Sequence, residues 1–561
     1  MSTSLLRVDR IFGAGPFREI GRPLVADLSP DGEVIVACGD LGPLQWHGHS
    51  VSGGAGRYRY MLAVYQAGDL SCVHLVPTRW PAQAIAFHPA LPVVTVGTGS
   101  YDGGYCYEGE LLFLNLTTGT VVSLLEWPRE VRMITWRNER TLDLVLAVPT
   151  DEDAERLGTT SVACSVQQDD WDIAADGMLW YPREESPVPD GEPPDPAAAV
   201  TLVDQLCRER GVTWEARRAV WAVRVLPDGR ILSTLEGVAL ECWPPHSDQA
   251  EWRLPAEGGG CQVHVPPEGR TAFTLTQTAP RWSRTARTWV RDPSLVTEVT
   301  LDGGEALATW DTGAEAVIAA RSDGWWALRD AGFARDPSVG SVTLRSPHGI
   351  RSGVVHLSRY DLFNHYFGIR YAPDLLFLQG SESKPWADKW VVAVDPPGAA
   401  VRRLFPLEWD KARGRHLSGG PGACLSGDHG PILVHAGTVQ DGRGLLPGNS
   451  FIICRDYPSG EPLWVFTADA QATDLDTDGE YVYVIFNSGE FVVLRTADGE
   501  VRARHEVIAD GRVIMPLSLT VAGSGRVVIG TLDGKLLACS VDPTRREGRG
   551  GPVSGRTQRR W

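Results

Sequence analysis

Residues 518–541 read SLTVAGSGRVVIGTLDGKLLACSV, and this stretch decides the fold class. Three apolar runs are separated by a Gly-Ser-Gly turn and an Asp-Gly turn. Asp-Gly and Ser-Gly pairs supply the positive φ angles that tight hairpins need, and alternating β-branched residues suit half-buried strands. The stretch therefore predicts a three-stranded antiparallel meander.

The same plan recurs along the chain. Other copies are LVADLSPDGEVIVACG at 24–39, AVRVLPDGRILSTL at 222–235 and DLDTDGEYVYVIFNSGEFVVL at 474–494. About ten such units begin at intervals of roughly 35 to 60 residues, a spacing typical of propeller blades with loops of variable length. We therefore expect an all-β protein, a β-propeller of four-stranded antiparallel blades arranged as one large ring or as two rings.

One segment interrupts the repeats. PREESPVPDGEPPDP at 182–196 is acidic and rich in proline, which predicts a mobile loop, and residues 197–211 show helical spacing of apolar residues after Pro196. We expect propeller blades over 1–181, a loop-and-helix insertion over 182–218 and further blades over 219–541. The basic residues 542–561 have almost no apolar content and are expected to be disordered.

The first strand-like segment, SLLRVDRIF at 4–12, has no partner in its own neighbourhood. The final unit at 518–541 supplies only three strands. Pairing the two would complete a four-stranded blade and remove an exposed edge. The sequence thus predicts that the two ends of the chain meet in one sheet.

The net charge and the spacing of the cysteines argue against several kinds of partner and site. The formal net charge is -17, which disfavours nucleic acid and anionic membrane lipid as partners. The ten cysteines are scattered without a C-x-x-C pair, so neither a zinc site nor a redox pair is indicated. No signal-peptide pattern or long apolar span is found, and we expect a reduced, cytoplasmic protein.

Four long hairpins fall between the second and third strands of their units, at 39–60, 97–110, 379–390 and 437–449. Equivalent loops of a propeller emerge on one face, so we expect these hairpins to build a binding face. Its candidate binding residues are Trp46, Tyr101, Asp102, Tyr105, Tyr107, Trp386 and Asp441. Aromatic side chains give a large contact area at low entropic cost. Packing of the hairpins against one another is the alternative role for the same side chains.

No residue of the chain is assigned to catalysis or to a metal. The sequence lacks the nucleophile elbow, the Walker A loop and the H-E-x-x-H motif, although propeller active sites are assembled from distant blades. Two functional classes stay open. An interaction scaffold is favoured over a propeller enzyme such as a quinoprotein-like oxidoreductase, a lyase or a hydrolase.

Residues 459–501, SGEPLWVFTADAQATDLDTDGEYVYVIFNSGEFVVLRTADGEV, resemble the repeats of quinoprotein-like (PQQ-like) propellers. The upstream third of the chain looks closer to tryptophan-aspartate (WD40-like) repeat propellers. Quinoprotein dehydrogenases are exported and carry a vicinal cysteine pair at the cofactor. Because this chain has no such pair, no cofactor is expected.

The GTGSYDGGYCYEGELL hairpin at 97–112 and the lack of a catalytic signature also resemble a bacterial propeller component. That component belongs to systems that pair a MoxR-type AAA+ ATPase with a von Willebrand factor A protein. The resemblance implies protein partners of those two kinds. In such a system the chain would recognise a client or a sensor input and deliver it to the ATPase assembly.

Overall fold

The computed structural model describes most of the chain. The described residues are 6–42, 45–46, 49–50, 59–179, 185–278, 281–283, 288–290, 292–331, 340–357, 366–381, 383, 388–427, 430–440 and 445–542. Of the residues at 45–46, 49–50, 281–283 and 288–290, only the backbone is described. The expected disordered tail, apart from Asp542, lies outside the described residues.

The chain divides into two compact units that alternate along the sequence. Unit 1 comprises Met1–Gly13, Pro43–Ala55 and Arg218–Trp561, and unit 2 comprises Ala14–Gly42 and Gly56–Arg217. Almost all regular structure in both units is β-strand.

The elements that precede Arg218 are, in chain order, β1 (Leu6–Phe12), a 3-10 helix (Arg18–Ile20), β2 (Arg22–Leu28), β3 (Val34–Asp40), β4 (Gln45–Trp46), β5 (His49–Ser50), β6 (Tyr60–Gln66), β7 (Cys72–Thr78), β8 (Ala82–Phe87), β9 (Val93–Thr98), β10 (Ser100–Tyr101), β11 (Tyr107–Glu108), β12 (Leu111–Asn115), β13 (Val121–Ser123), β14 (Val131–Trp136), β15 (Thr141–Ala147), α1 (Asp151–Leu157), β16 (Ser161–Gln167), β17 (Ser186–Val188) and α2 (Pro196–Glu209).

The elements that follow are β18 (Ala222–Val225), β19 (Ile231–Trp243), β20 (Trp252–His264), β21 (Thr271–Gln277), β22 (Arg281–Ser283), β23 (Thr288–Val290), β24 (Leu295–Thr300), β25 (Ala306–Asp311), β26 (Ala316–Ala320), β27 (Trp326–Asp330), β28 (Ser341–Arg345), β29 (Arg351–His356), β30 (Gly368–Arg370), β31 (Leu375–Gly380), β32 (Lys389–Asp395), β33 (Ala400–Leu407), β34 (His416–Gly427), β35 (Gly430–Gln440), β36 (Ser450–Asp456), β37 (Pro462–Ala468), β38 (Ala472–Thr477), β39 (Tyr481–Phe486), β40 (Glu490–Arg495), β41 (Val501–Glu506), β42 (Ile508–Ala509), β43 (Arg512–Val513), β44 (Pro516–Gly523), β45 (Arg526–Thr531) and β46 (Leu536–Val541).

Unit 2 contains three four-stranded antiparallel sheets, in the orders β2-β3-β6-β7, β8-β9-β12-β13 and β14-β15-β16-β17. The helix predicted from sequence is confirmed as α2, which lies against β2 and buries Ala199, Val203, Leu206 and Cys207. Within the segment expected to be a loop at 182–196, residues 186–188 form β17, the fourth strand of the third sheet, and residues 189–195 have no regular structure. Proline is tolerated there because β17 is an edge strand.

Unit 1 is built from antiparallel meanders. Its larger sheets have the orders β1-β46-β45-β44, β18-β19-β20-β21-β24-β25, β26-β27-β28-β29, β31-β32-β33, β30-β34-β35-β36-β37 and β38-β39-β40-β41. Together with unit 2, these sheets confirm the all-β prediction. The core lies between neighbouring sheets: Leu519, Ile529 and Leu537 of the last sheet pack with Tyr483 and Val493 of the sheet before it.

Seven strands of unit 1 form a continuous series in which each strand contacts the next. Strand β18 contacts β44 and β20, β20 contacts β26, and β26 contacts β30. Strand β30 pairs with β34 in parallel, β34 contacts β38, and β38 contacts β44. The succession of neighbouring strands therefore returns to its starting point.

The predicted pairing of the chain ends is confirmed. Strand β1 is antiparallel to β46, with Leu6 opposite Val541 and Phe12 opposite Leu536. Leu6 and Phe12 are buried, so the strand contributes apolar contacts as well as backbone hydrogen bonds. Strand β1 thereby completes the last four-stranded sheet and covers the edge that β46 would otherwise expose.

Deleting residues 1–12 should therefore lower the melting temperature of the protein by several degrees. The deletion removes the hydrogen bonds of β1 and leaves β46 as an unpaired edge with uncovered apolar side chains. Differential scanning calorimetry of the deletion variant and the full chain measures the effect. An unchanged melting temperature would show that β1 adds nothing to the fold.

A buried ionic network links three sheets of unit 1. The Arg370 guanidinium donates to Asp474 Oδ2 at 2.6 Å and to Asp476 Oδ2 at 2.9 Å. The backbone N–H groups of Leu519 and Val521 donate to the same two oxygens, each at 2.8 Å. Burial raises the pKa of Asp474, and the nearby Arg370 opposes that rise. The network thus joins β30, β38 and β44 through charge-assisted hydrogen bonds.

Replacement of Arg370 by methionine should destabilise the protein by about 3 to 5 kcal/mol, because two buried carboxylates lose the guanidinium that bonds to both of them. Arg403→Met is the matched control, since Arg403 is exposed, and its effect should stay within about 0.5 kcal/mol. Urea unfolding of both variants gives the two values. Adding Asp476→Asn to the Arg370→Met variant should recover part of the loss, and a further loss of stability in that double variant would contradict the ionic explanation.

Candidate interaction surface

Three of the four long hairpins lie where the sequence predicts them. Those between β3 and β6, between β9 and β12, and between β35 and β36 join the second and third strands of their meanders. The fourth, between β31 and β32, instead joins the first two strands of a three-stranded sheet. The reason is that β30 pairs with β34 and not with β31. A further long connection between β21 and β24, carrying the β22-β23 hairpin, was not predicted.

The conformation of the hairpin at residues 99–110 is stabilised by pairing between its two short strands and by hydrogen bonds to Asp102. Tyr101 of β10 pairs with Tyr107 of β11. The Asp102 Oδ1 atom accepts hydrogen bonds from the backbone N–H groups of Gly104, Tyr105 and Cys106, at 2.7 to 3.0 Å. These bonds, the one from Tyr105 foremost, lower the pKa of Asp102. The Asp102 carboxylate therefore shapes the turn.

The base of the hairpin lies against the segment that leads into β14. A Cβ atom at Gly109 would stand 2.1 Å from the Thr98 carbonyl oxygen and 2.8 Å from the Glu130 Cα atom. The backbone N–H of Arg129 donates to the Gly109 carbonyl at 2.8 Å. Only glycine fits this approach, so the hairpin is fixed relative to the third sheet of unit 2.

Helix α1, which the sequence analysis missed, supports the hairpin from the neighbouring sheet. Thr150 caps its N-terminus by accepting a hydrogen bond from the Asp153 N–H at 3.2 Å, and Gly158 ends the helix with a φ of 69°. Three acidic residues occupy the first turn, where the helix dipole favours negative charge. The T-D-E-D sequence at 150–153 followed by Gly158 is the cap signal that would have predicted this short helix.

Backbone and side-chain bonds join the hairpin to α1. The Asp151 N–H donates to the Tyr105 carbonyl at 3.1 Å, and Cys106 forms a β-bridge with Thr150. The Tyr101 hydroxyl donates to Asp151 Oδ2 at 2.6 Å, which raises the pKa of Tyr101 to about 12. A hydrogen bond with Glu152 raises the pKa of Tyr105. The Tyr101 phenol is thus held by a carboxylate of the first helical turn, and Tyr105 is held through its backbone carbonyl.

Tyr107 packs against Tyr101 on one side and Arg132 on the other. Its ring lies 4.9 Å from the ring of Tyr101, and the Arg132 guanidinium lies 5.4 Å from the Tyr107 ring centre. Arg132 in turn donates to the hydroxyls of Thr160 and Ser161 at 2.6 and 2.7 Å. Tyr107 is half-buried, whereas Tyr101 is 42% exposed and Tyr105 is 43% exposed.

We define the hairpin–helix surface as Tyr101, Tyr105, Asp151 and Glu152. Of the predicted binding residues, the structure brings together Tyr101, Asp102, Tyr105 and Tyr107 in one hairpin. The side chain of Trp46 and all of Trp386 and Asp441 lie outside the described residues. The contribution of α1 is the part of this surface that sequence reasoning missed.

No protein-family model matches the chain, and no curated protein sequence matches it. Within the part of the chain that the structure describes, no group of three or more His, Cys, Asp and Glu side chains is placed to hold a metal ion. Among the described helices, none has the length and apolar character needed to cross a membrane.

The hydrogen bond between Tyr101 and Asp151 should be visible in a pH titration. Because the carboxylate favours the protonated phenol, this contribution to stability is complete below pH 10 and is lost as the pH rises toward 12. The ultraviolet absorbance of tyrosinate, compared between wild type and Tyr101→Phe, should differ by one group that titrates at about pH 12. Asp151→Asn should move that group toward 10, the ordinary value. If the group that Tyr101→Phe removes titrates at about pH 10 in the wild type, the bond to Asp151 is excluded. Circular dichroism over the same pH range controls for unfolding.

Proposed function

We propose that the chain is a non-catalytic recognition module that binds a protein partner and that it is built on β-propeller architecture. Unit 1 would be a ring of seven blades, with the strands nearest the axis being β18, the second half of β20, and β26, β30, β34, β38 and β44. The cyclic order of neighbouring strands supports this arrangement. The completion of the last sheet by β1 supports it too, because propellers protect their edges in this way.

The observation that carries the recognition function is the exposure of two rigidly held tyrosines. Tyr101 and Tyr105 keep about two fifths of their surface exposed, at 42% and 43%, while the Tyr101 hydroxyl and the Tyr105 carbonyl both bond to Asp151 of α1. Side chains fixed before binding lose little conformational entropy on association, and tyrosine is enriched among residues that dominate interfaces. A surface with these properties suits protein recognition and needs no catalytic group.

The partner we propose is a MoxR-type AAA+ ATPase or its von Willebrand factor A companion, in a bacterial cytoplasm. This choice rests on the resemblance of the 97–112 hairpin to the propeller component of such systems. The chain would present a client or a sensor input to the ATPase through the hairpin–helix surface.

Affinity purification of the tagged chain from its own cells, followed by mass spectrometry, tests the proposal. The wild type should retain an AAA+ ATPase, and Tyr101→Ala combined with Tyr105→Ala should retain less than about a tenth as much. An interface tyrosine contributes about 1 to 4 kcal/mol to association, whereas loss of an exposed side chain alters folding by about 0.5 kcal/mol.

The matched control is Ile173→Ala, which removes an apolar side chain that is 69% exposed and belongs to the same unit. Helix α1 precedes the N-terminal end of β16, whereas Ile173 follows its C-terminal end. The Ile173→Ala variant should therefore bind like the wild type. Equal retention by all three proteins would contradict the role of the hairpin–helix surface. Weakened folding in the tyrosine variant, with unchanged binding, would leave these side chains with a packing role only.

A further inference from the structure

The last strand of the six-stranded sheet of unit 1 has an unpaired edge. Strand β25 pairs with β24 on one side, and none of the described strands pairs with its other side. Residues 306–309 of β25 are exposed, and the Leu307 side chain keeps 54% of its surface in contact with solvent. An unpaired edge offers a row of backbone N–H and C=O groups to another strand.

The register of β24 and β25 shows which backbone groups face this edge. The Thr312 N–H donates to the Ser294 carbonyl at 3.0 Å, so these two residues form a hydrogen-bonded pair. Hydrogen-bonded and non-hydrogen-bonded pairs alternate along an antiparallel ladder. Thr309, opposite Thr297, and Asp311 therefore occupy non-hydrogen-bonded positions. The N–H and C=O groups of Thr309 and Asp311 point away from β24, toward the free edge.

Strand β25 lacks the protection that the outer strands of the other large sheets have. Each of these sheets has one end strand that contacts a neighbouring sheet, and we call the opposite end strand its outer strand. Charged residues and proline keep outer strands from pairing with other chains. They are present in β1, β7, β17, β29, β33, β37 and β41, and the short β13 is bonded along its edge by residues 176–179. Strand β25 has neither between Ala306 and Trp310, and its bulge at Leu307 leaves 308–311 as a regular strand.

The missing protection points to a second copy of the chain as the occupant of this edge. Copies of one chain are always present together, so an edge that has to stay unpaired needs protection against its own copy. Antiparallel pairing about a two-fold axis is self-complementary, because each outward N–H meets a C=O of the same strand in the other copy. In pairing centred on Thr309 or on Trp310, the two Asp311 carboxylates do not lie directly opposite each other. The contact therefore avoids the repulsion of like charges in opposed positions.

We propose that β25 pairs antiparallel with β25 of a second copy, which joins the two six-stranded sheets into one continuous sheet. The backbone groups of Thr309 and Asp311 exchange hydrogen bonds across the two-fold axis. Two strands of six residues make an interface smaller than about 1,200 Å², which is typical of weak complexes. The dissociation constant should accordingly be about 10 to 100 µM. This contact does not use the hairpin–helix surface, so either proposal can fail without the other.

Sedimentation equilibrium of the full chain over about 1 to 300 µM tests the pairing. Salt at about 0.3 M screens the repulsion between copies that each carry a net charge of -17. The wild type should pass from monomer to dimer as its concentration rises. Thr309→Pro removes an N–H that bonds to no strand of its own sheet, so it should fold and raise the dissociation constant about tenfold or more. A monomeric wild type, or an unchanged dimer in Thr309→Pro, would overturn the proposal.

An exchange of charges tests the antiparallel direction. Thr309→Asp places carboxylates opposite each other whether the pairing is centred on Thr309 or on Trp310, so it should weaken self-association. A second protein that combines Thr309→Lys with Asp311→Lys should be weakened in the same way. An equal mixture of the two proteins should dimerise again, because every carboxylate then faces an ammonium group. A mixture that stays monomeric under conditions where the wild type dimerises would contradict antiparallel self-pairing.

Val401→Lys is the matched control. It adds a charge at a residue that is 41% exposed on the outer strand β33, where Arg402 and Arg403 already lie. This variant should dimerise like the wild type, and a loss equal to that of the Thr309 variants would overturn the assignment to β25. Should Thr309→Pro fail to fold by circular dichroism, the charge variants decide the outcome, since the side chains that they replace are exposed.

Discussion

The sheet β1-β46-β45-β44 lies beside two of the four places where the chain passes from one unit to the other, at Gly13 and at Arg218. The chain leaves unit 1 just after Phe12, which pairs with Leu536 of β46. It returns at Ala219 and Val220, whose N–H groups donate to the carbonyls of Leu532 and Thr531 at 2.7 and 3.0 Å. Residues remote in sequence must therefore meet before unit 1 is complete. Such non-local pairing costs loop-closure entropy, which the buried apolar contacts of this sheet must offset.

The Arg370 network imposes a second non-local constraint. The pair of carboxylates at Asp474 and Asp476 would be costly to bury alone, and the bonds from Arg370 and from the backbone of β44 satisfy them. A buried ionic network adds less net stability than its number of bonds implies, because each charge loses its hydration. The network also ties β30, β38 and β44 to one another, since a shift of any of these strands would move a donor away from its acceptor.

The hairpin–helix surface and the buried Gln277 amide show two different arrangements of polar groups. At the surface, the Tyr101 hydroxyl and the Tyr105 carbonyl are bonded to Asp151, and both rings remain partly exposed. In β21, the buried Gln277 Oε1 atom has no hydrogen-bond partner among the described residues, which is an energetic cost to the fold. The first arrangement is complete without a bound molecule, whereas the second has an acceptor for which the described residues supply no donor.

The sequence by itself determined the strands and their turns. Asp-Gly pairs such as Asp478-Gly479 and Asp533-Gly534 place glycine at a φ of 98° or 79°, and that requirement is local. Helix α2 and the β1–β46 pairing were also predictable, because an apolar stripe and an unpaired edge each need a partner. Only the tertiary structure decided that β30 pairs with β34, that Asp102 shapes a turn, and that α1 holds the tyrosines. Burial and hydrogen-bond partners depend on residues that are distant along the chain, and no local pattern of side chains encodes them.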